Sequence, residues 1–168
     1  MEKRVAMTEE IIALITEIHA ALRSRNETLS TAESLTAGGL SNALTIVPGA
    51  SEVFLAGMTA YHPTIKVSHL GVNEKTIADH TVFSQEVAIE MAQGALKTFN
   101  STWAIATTGV AGPGPVDGSP AGSVWVAIAG PISQTVQLDL TGEREAVRNA
   151  TIASAIASFA RILRHRKD

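Results

Sequence analysis

Four polar stretches combine residue types that could do chemistry. Thr31-Ala32-Glu33-Ser34 closes a short β-prone run and leads into the small residues Thr36-Ala37-Gly38-Gly39. A strand-to-helix junction leaves backbone N–H groups free for an anion or polar ligand; read plainly, Ser34 is an ordinary helix N-cap. Pro48-Gly49-Ala50-Ser51 puts a serine just after a tight turn, where it could be an exposed nucleophile or simply a turn residue. Tyr61-His62-Pro63-Thr64-Ile65-Lys66 brings a phenol and an amine to one sheet edge. With no cysteine in the chain, a Ser–Lys pair is the simplest activated nucleophile on offer. Its lysine must be desolvated enough to accept the serine proton; a solvated surface lysine is the bland alternative.

The fourth stretch, Thr107-Thr108-Gly109-Val110-Ala111-Gly112-Pro113-Gly114-Pro115, leaves the end of a buried strand, where open α/β sheets bind ligands. Glycines such as Gly109 and Gly112 let a backbone approach substrate closely, and N–H groups near Thr108 and Gly109 could hold an oxyanion. A plain surface loop would have the same composition. Arg144 and Arg148 stand one turn apart near the start of the last helix, where positive side chains oppose the dipole unless an anionic ligand relieves them. A solvated face with Glu143 and Glu145 explains them equally well. The five histidines form no ligand cluster, so neither a metal nor a cofactor is expected. Neither phosphate-cradling glycine motif is present, which removes a P-loop or Rossmann reading.

These residues need elements to hold them. Residues 8–25 place Ile11, Ile15, Ile18 and Leu22 on one face, an amphipathic helix with Thr8 as N-cap. A β-prone run over 28–32 and a short helix through Leu44 follow. A strand over 53–61, ended by Pro63, leads to short helices over 64–70 and 74–79. Ser84 caps a helix to about Phe99, with Ala88, Met91, Ala95 and Phe99 inward. A buried strand over 103–107 precedes the glycine loop, and 123–129 with 135–140 reads as a hairpin around Gly130-Pro131. The last helix starts near Gly142, buries Ile152, Ile156, Phe159 and Leu163, and ends in cations suited to its dipole. Strands separated by helices pair parallel, whereas a hairpin is antiparallel. The expectation is an α/β fold: a single three-layer domain over 1–168, core about 8–164, with a mixed sheet flanked by helices.

Composition agrees: 168 residues, 45% hydrophobic and 17% charged, exclude a disordered chain. A net charge of −3 argues against a nucleic-acid partner. No apolar run reaches the ~20 residues a membrane span needs, and the first ten residues lack a signal-peptide core. A cytoplasmic location is therefore the default, and the sequons at Asn26, Asn100 and Asn149 carry little weight. The apolar, Ala-rich helices could hide an assembly face, so a homo-oligomer is expected.

Taken as an ordered set, TAESLTAGG, VPGAS, AGMTAYHPTIK with the following LGV, FSQEVAIEMAQGAL, ATTGVAGPGP, AGSVWVAIA and TGEREAVRNAT resemble the CinA C-terminal domain family over roughly residues 8–160. That family's stand-alone members include PncC-type nicotinamide-nucleotide amidases. The resemblance implies hydrolysis of nicotinamide mononucleotide to nicotinic acid mononucleotide and ammonia by a metal-free Ser/Lys mechanism. It implies Ser51 as nucleophile, Lys66 as general base, Tyr61 as assisting phenol and Ser34 as supporting hydroxyl. It places Thr108 and Gly109 in the substrate loop, and Arg144 and Arg148 where a 5′-phosphate would bind. The sequence departs from the family at Leu35 (commonly Cys), at His62-Pro63 (Ser-Asn), at Glu143 (Asp) and in a shorter 113–120 segment without its lysine. His62-Pro63 and the altered loop keep open a nucleotide-binding regulatory module without turnover, and the family's historical name suggests a competence-associated interaction protein, which no residue here requires.

Overall fold

Parallel strands laid side by side and a terminal hairpin build the sheet that carries the site. A computed structural model describes residues 8–166; the first seven residues, and Lys167 among the expected C-terminal cations, lie outside them. Its strands are β1 (Leu29–Glu33), β2 (Phe54–Thr59), β3 (Trp103–Gly109), β4 (Ser123–Ala129) and β5 (Gln134–Asp139). The sheet order is β2-β1-β3-β4-β5. β1 runs parallel to both β2 and β3, and β4 is antiparallel to β3 and β5. The chain moves outward from β1 to β2, then returns past β1 to β3. This reversal leaves a crevice at the carboxyl ends of β1 and β3.

Helices cover both faces. On one, α1 (Glu9–Ser24), α2 (Gly39–Leu44) and α6 (Arg144–His165) bury Ile15, Ile18, Leu22, Leu40, Ile156, Phe159 and Leu163 against the sheet. On the other, α3 (Pro63–Leu70), α4 (Glu74–His80) and α5 (Gln85–Phe99) enclose Leu70, Val87, Ala88, Met91 and Ala95. The mixed, three-layer α/β expectation holds. Thr8 and Ser84 cap α1 and α5 through Ile11 N and Val87 N. Ile11, Phe99 and Ile152 are half-buried at the edges of their clusters rather than fully inward.

Two local features steer the site. His62 caps α3 by accepting from Thr64 N, and Pro63 occupies the helix's first turn, where it withholds no needed N–H. The His-Pro pair thus starts the helix that presents Lys66. On α5, a Cβ added at Gly94 would lie 2.0 Å from the Leu70 carbonyl oxygen, so α3 and α5 meet backbone to backbone there. Among the described residues, no helix is long and apolar enough to cross a membrane.

Candidate active site

Ser34 and Lys66 meet at the crevice. Ser34 directly follows β1, and its N–H donates to Thr107 O of β3 at 2.9 Å. Lys66 lies in the first turns of α3, past the end of β2, and is 1% exposed. The parallel register pairs Glu33 with Thr59, and Ala60 N donates to Glu33 O, so the two chain exits are level. Lys66 Nζ reaches Ser34 Oγ at 2.9 Å, Ala60 O at 2.5 Å and Tyr61 O at 3.3 Å. Burial lowers the amine's pKa from 10.5 to about 8.

This arrangement poises the lone pair. An ammonium has three protons and no acceptor, and the three oxygens around Nζ accept all of them. The neutral amine keeps two protons, which the Ala60 and Tyr61 carbonyls hold, leaving its lone pair toward the Ser34 hydroxyl. Ser34 can then donate to Lys66, the geometry an activated serine requires.

The turn after Ser34 is held by three residues. Buried Glu33 accepts from Gly38 N, Leu40 N, Ser41 N and Ser41 Oγ at 2.6–3.1 Å, capping α2, whose N-cap position is Gly38. Ser34 is therefore not the helix cap that its position suggests. Thr36 Oγ1 pairs with Thr107 Oγ1 at 2.8 Å, and Arg148 donates to Thr36 O at 3.3 Å. The N–H groups of Leu35, Ala111 and Gly112 make no hydrogen bond within the described chain. All three residues border the cleft, an array of donors that could receive an oxyanion.

The cleft itself measures about 280 Å³, and Ser34, Lys66, Tyr61, Gly109, Gly112 and Arg144 are among its walls. At its mouth, Arg144 donates to Tyr61 Oη at 2.6 Å and to Gly112 O at 2.8 Å. Gly109 packs where a Cβ would strike the Ser123 and Val124 backbone, 2.5 and 2.7 Å away. No group of His, Asp and Glu among the described residues could hold a metal ion.

Three expected placements change. Ser51 lies on an exposed 3-10 turn before β2, whereas Lys66 lies beyond that strand's other end. The six residues of β2, at about 3.3 Å each, set them roughly 20 Å apart. A Ser51–Lys66 pair does not form; the serine beside the amine is Ser34. Arg148 turns under the Thr36 carbonyl instead of lining the cleft, so only Arg144 of the two arginines reaches its wall. Thr108 is not among the cleft's walls and spends its hydroxyl on Val82 O at 2.7 Å, and the Val110 N–H is taken by Ser123 O. Free donors therefore include the N–H groups of Leu35, Ala111 and Gly112.

Several contributors had been given no role of their own. Glu33, Leu35, Ala111, Val82, Phe83 and Asp117 all shape or line the site. The Ser34–Lys66 pairing did have a sequence signal. Residues that follow two adjacent parallel strands share one sheet edge, whereas Ser51, which precedes its strand, takes the other.

The chain is similar to known proteins. The CinA C-terminal domain model matches residues 11–163. The nicotinamide-nucleotide amidohydrolase PncC of Escherichia coli (strain K12) is 36% identical over 153 residues, 89% of this chain and 93% of that protein. A CinA-like protein of Prochlorococcus marinus is 45% identical over 139 residues, 80% of this chain. The present chain spans only 33% of that relative's length. A CinA superfamily protein from Klebsiella pneumoniae 700603 superposes with a TM-score of 0.88 at 34% identity, covering 93% of this chain and 99% of its own.

Proposed function

Because the chain belongs to the CinA C-terminal domain family, we propose that it is an amidohydrolase releasing ammonia from the carboxamide of nicotinamide mononucleotide, with Ser34 as nucleophile and Lys66 as base. One observation carries this reading: a buried amine, its pKa lowered to about 8, stands 2.9 Å from a serine hydroxyl on the floor of a cleft. The likeness to PncC supports the choice of substrate.

Lys66 Nζ takes the Ser34 proton as Oγ bonds to the amide carbon. The carbonyl oxygen becomes an oxyanion facing the free N–H groups of the Leu35 turn and the 111–112 segment, where preorganised donors stabilise the developing charge. Lys66 then gives its proton to the amide nitrogen, the C–N bond breaks, and ammonia leaves. Water, deprotonated by the same amine, attacks the acyl ester and restores Ser34, releasing the carboxylate. Arg144 at the cleft mouth suits the substrate's phosphate, and Tyr61, bonded to it, fixes that guanidinium. Arg148 acts at one remove, by bracing the turn after Ser34.

Ammonia release from nicotinamide mononucleotide tests the assignment. Wild type and Ser51→Ala should turn over alike, and Ser34→Ala and Lys66→Ala should not. Turnover retained by Ser34→Ala overturns the mechanism. A ligand-induced rise in melting temperature without ammonia favours the binding-module reading instead.

A further inference from the structure

Residues 116–119 form a miniature hairpin. Val116 and Ser119 exchange two backbone hydrogen bonds of 3.0 and 2.9 Å, and Asp117 and Gly118 between them have φ of 47° and 77°. Positive φ at both central positions defines the hairpin turn for which Asp-Gly is a favoured sequence. The turn fixes Asp117 at the cleft wall, and no side chain among the described residues pairs with its carboxylate.

Asp117 and half-buried Phe83 border two cavities at once. One is the cleft over Ser34; the other is an open groove of about 450 Å³ that His80, Gln85 and Trp125 also line. The cleft thus carries a carboxylate and an aromatic side chain in addition to Arg144, above a Ser–Lys floor. We infer that Asp117 and Phe83 form a subsite selecting an amide borne on a cationic aromatic ring, with the anionic end of the same molecule directed to Arg144.

The inference deepens the proposed function and rests on it for the substrate's identity. A pyridinium nitrogen bonded to ribose carries a positive charge. A carboxylate attracts that charge, and an aromatic face attracts it further. Both residues select substrate; neither takes part in the chemical steps.

The test compares nicotinamide mononucleotide with its 1,4-dihydro form, which keeps the amide, ribose and phosphate but has a neutral ring. Calorimetric Kd values are measured in the Ser34→Ala background, which binds without turnover. The cationic form should bind about two- to fivefold more tightly, the range for exposed charge pairs. Asp117→Asn should bring the ratio close to one; Asn tolerates positive φ, so the hairpin survives. Phe83→Leu should narrow the ratio partway. An unchanged ratio in Asp117→Asn overturns the subsite.

A second pair, N-methylnicotinamide cation against neutral nicotinamide, separates the two readings. Preference for the cation, lost in Asp117→Asn, upholds the subsite even where neither mononucleotide binds, and then only the mononucleotide assignment falls. If no member of either pair binds, both fall.

Discussion

The two ends of the parallel strands use similar residue types for opposite purposes. At the carboxyl ends, Ser34 and Lys66 are nearly sealed from water and face each other in a cleft. At the amino ends, Ser51 is exposed, and Arg23 pairs with Glu52 at the surface at 2.6 Å. Beside β3's start, Glu27 accepts from Trp103 Nε1 and from Arg166, whose guanidinium lies 5.5 Å from the indole centroid. There the charges are neutralised and structural. At the other end, an amine is buried with a hydroxyl and two carbonyls but no carboxylate. Desolvation without a counter-charge is what lets a lysine shed its proton, and so accept another, at moderate pH.

The sharpest way to break this contrast is to remove one member of the buried pair. Ser34→Ala or Lys66→Ala should lower the rate of ammonia release by about three orders of magnitude or more, as loss of an activated nucleophile does. Equal rates in wild type and either variant would erase the distinction between the two ends.

Titration sharpens it next. kcat/KM should rise with pH and level off above about 8, as Lys66 loses its proton. Stability follows by linkage. The folded-state pKa lies below the unfolded value, so between about 8 and 10.5 the unfolded chain binds more protons and stability rises with pH. The charged amine's cost, roughly 3 kcal/mol from the shift, is fully present below that window and gone above it. Denaturant titrations should therefore show the stability of wild type rising relative to that of Lys66→Met between pH 7 and pH 10. A constant difference would mean that the amine is wetted.

At the amino end, Glu27→Ala should destabilise the fold by about 1–3 kcal/mol, since it strands the Trp103 N–H, and leave kcat unchanged at a temperature where the protein is folded. A chemical denaturation curve beside a single-temperature assay reads both. The smallest effect belongs to Ser51→Ala: turnover within about twofold of wild type and little change in stability, as for an exposed polar residue.

Much of the architecture was legible in the residues. The α1 and α5 stripes, their Thr8 and Ser84 caps and the late hairpin follow from local periodicity and capping chemistry. Ser34, Lys66, Tyr61 and Arg144 stood out in polar stretches and at a helix start, and each borders the cleft. The resemblance implied Ser51 as the partner of Lys66, whereas the hydroxyl beside the amine belongs to Ser34, 32 residues away. Nearness along the chain is undone by the length of an intervening strand, and distance along it by parallel pairing. Arg148 and Thr108 face inward for reasons no local pattern records: each satisfies a carbonyl, Thr36 O and Val82 O, that only the assembled fold brings near.

The bare contact at Gly94 has its own consequence. Because α3 rests there directly on the backbone of its neighbour, nothing flexible cushions the helix that carries Lys66. A single methyl group at that seat would lever the helix outward, admit solvent around the amine and return it toward ordinary basicity. Catalysis could thus be switched off from the far side of a helix, by a residue that never meets the substrate.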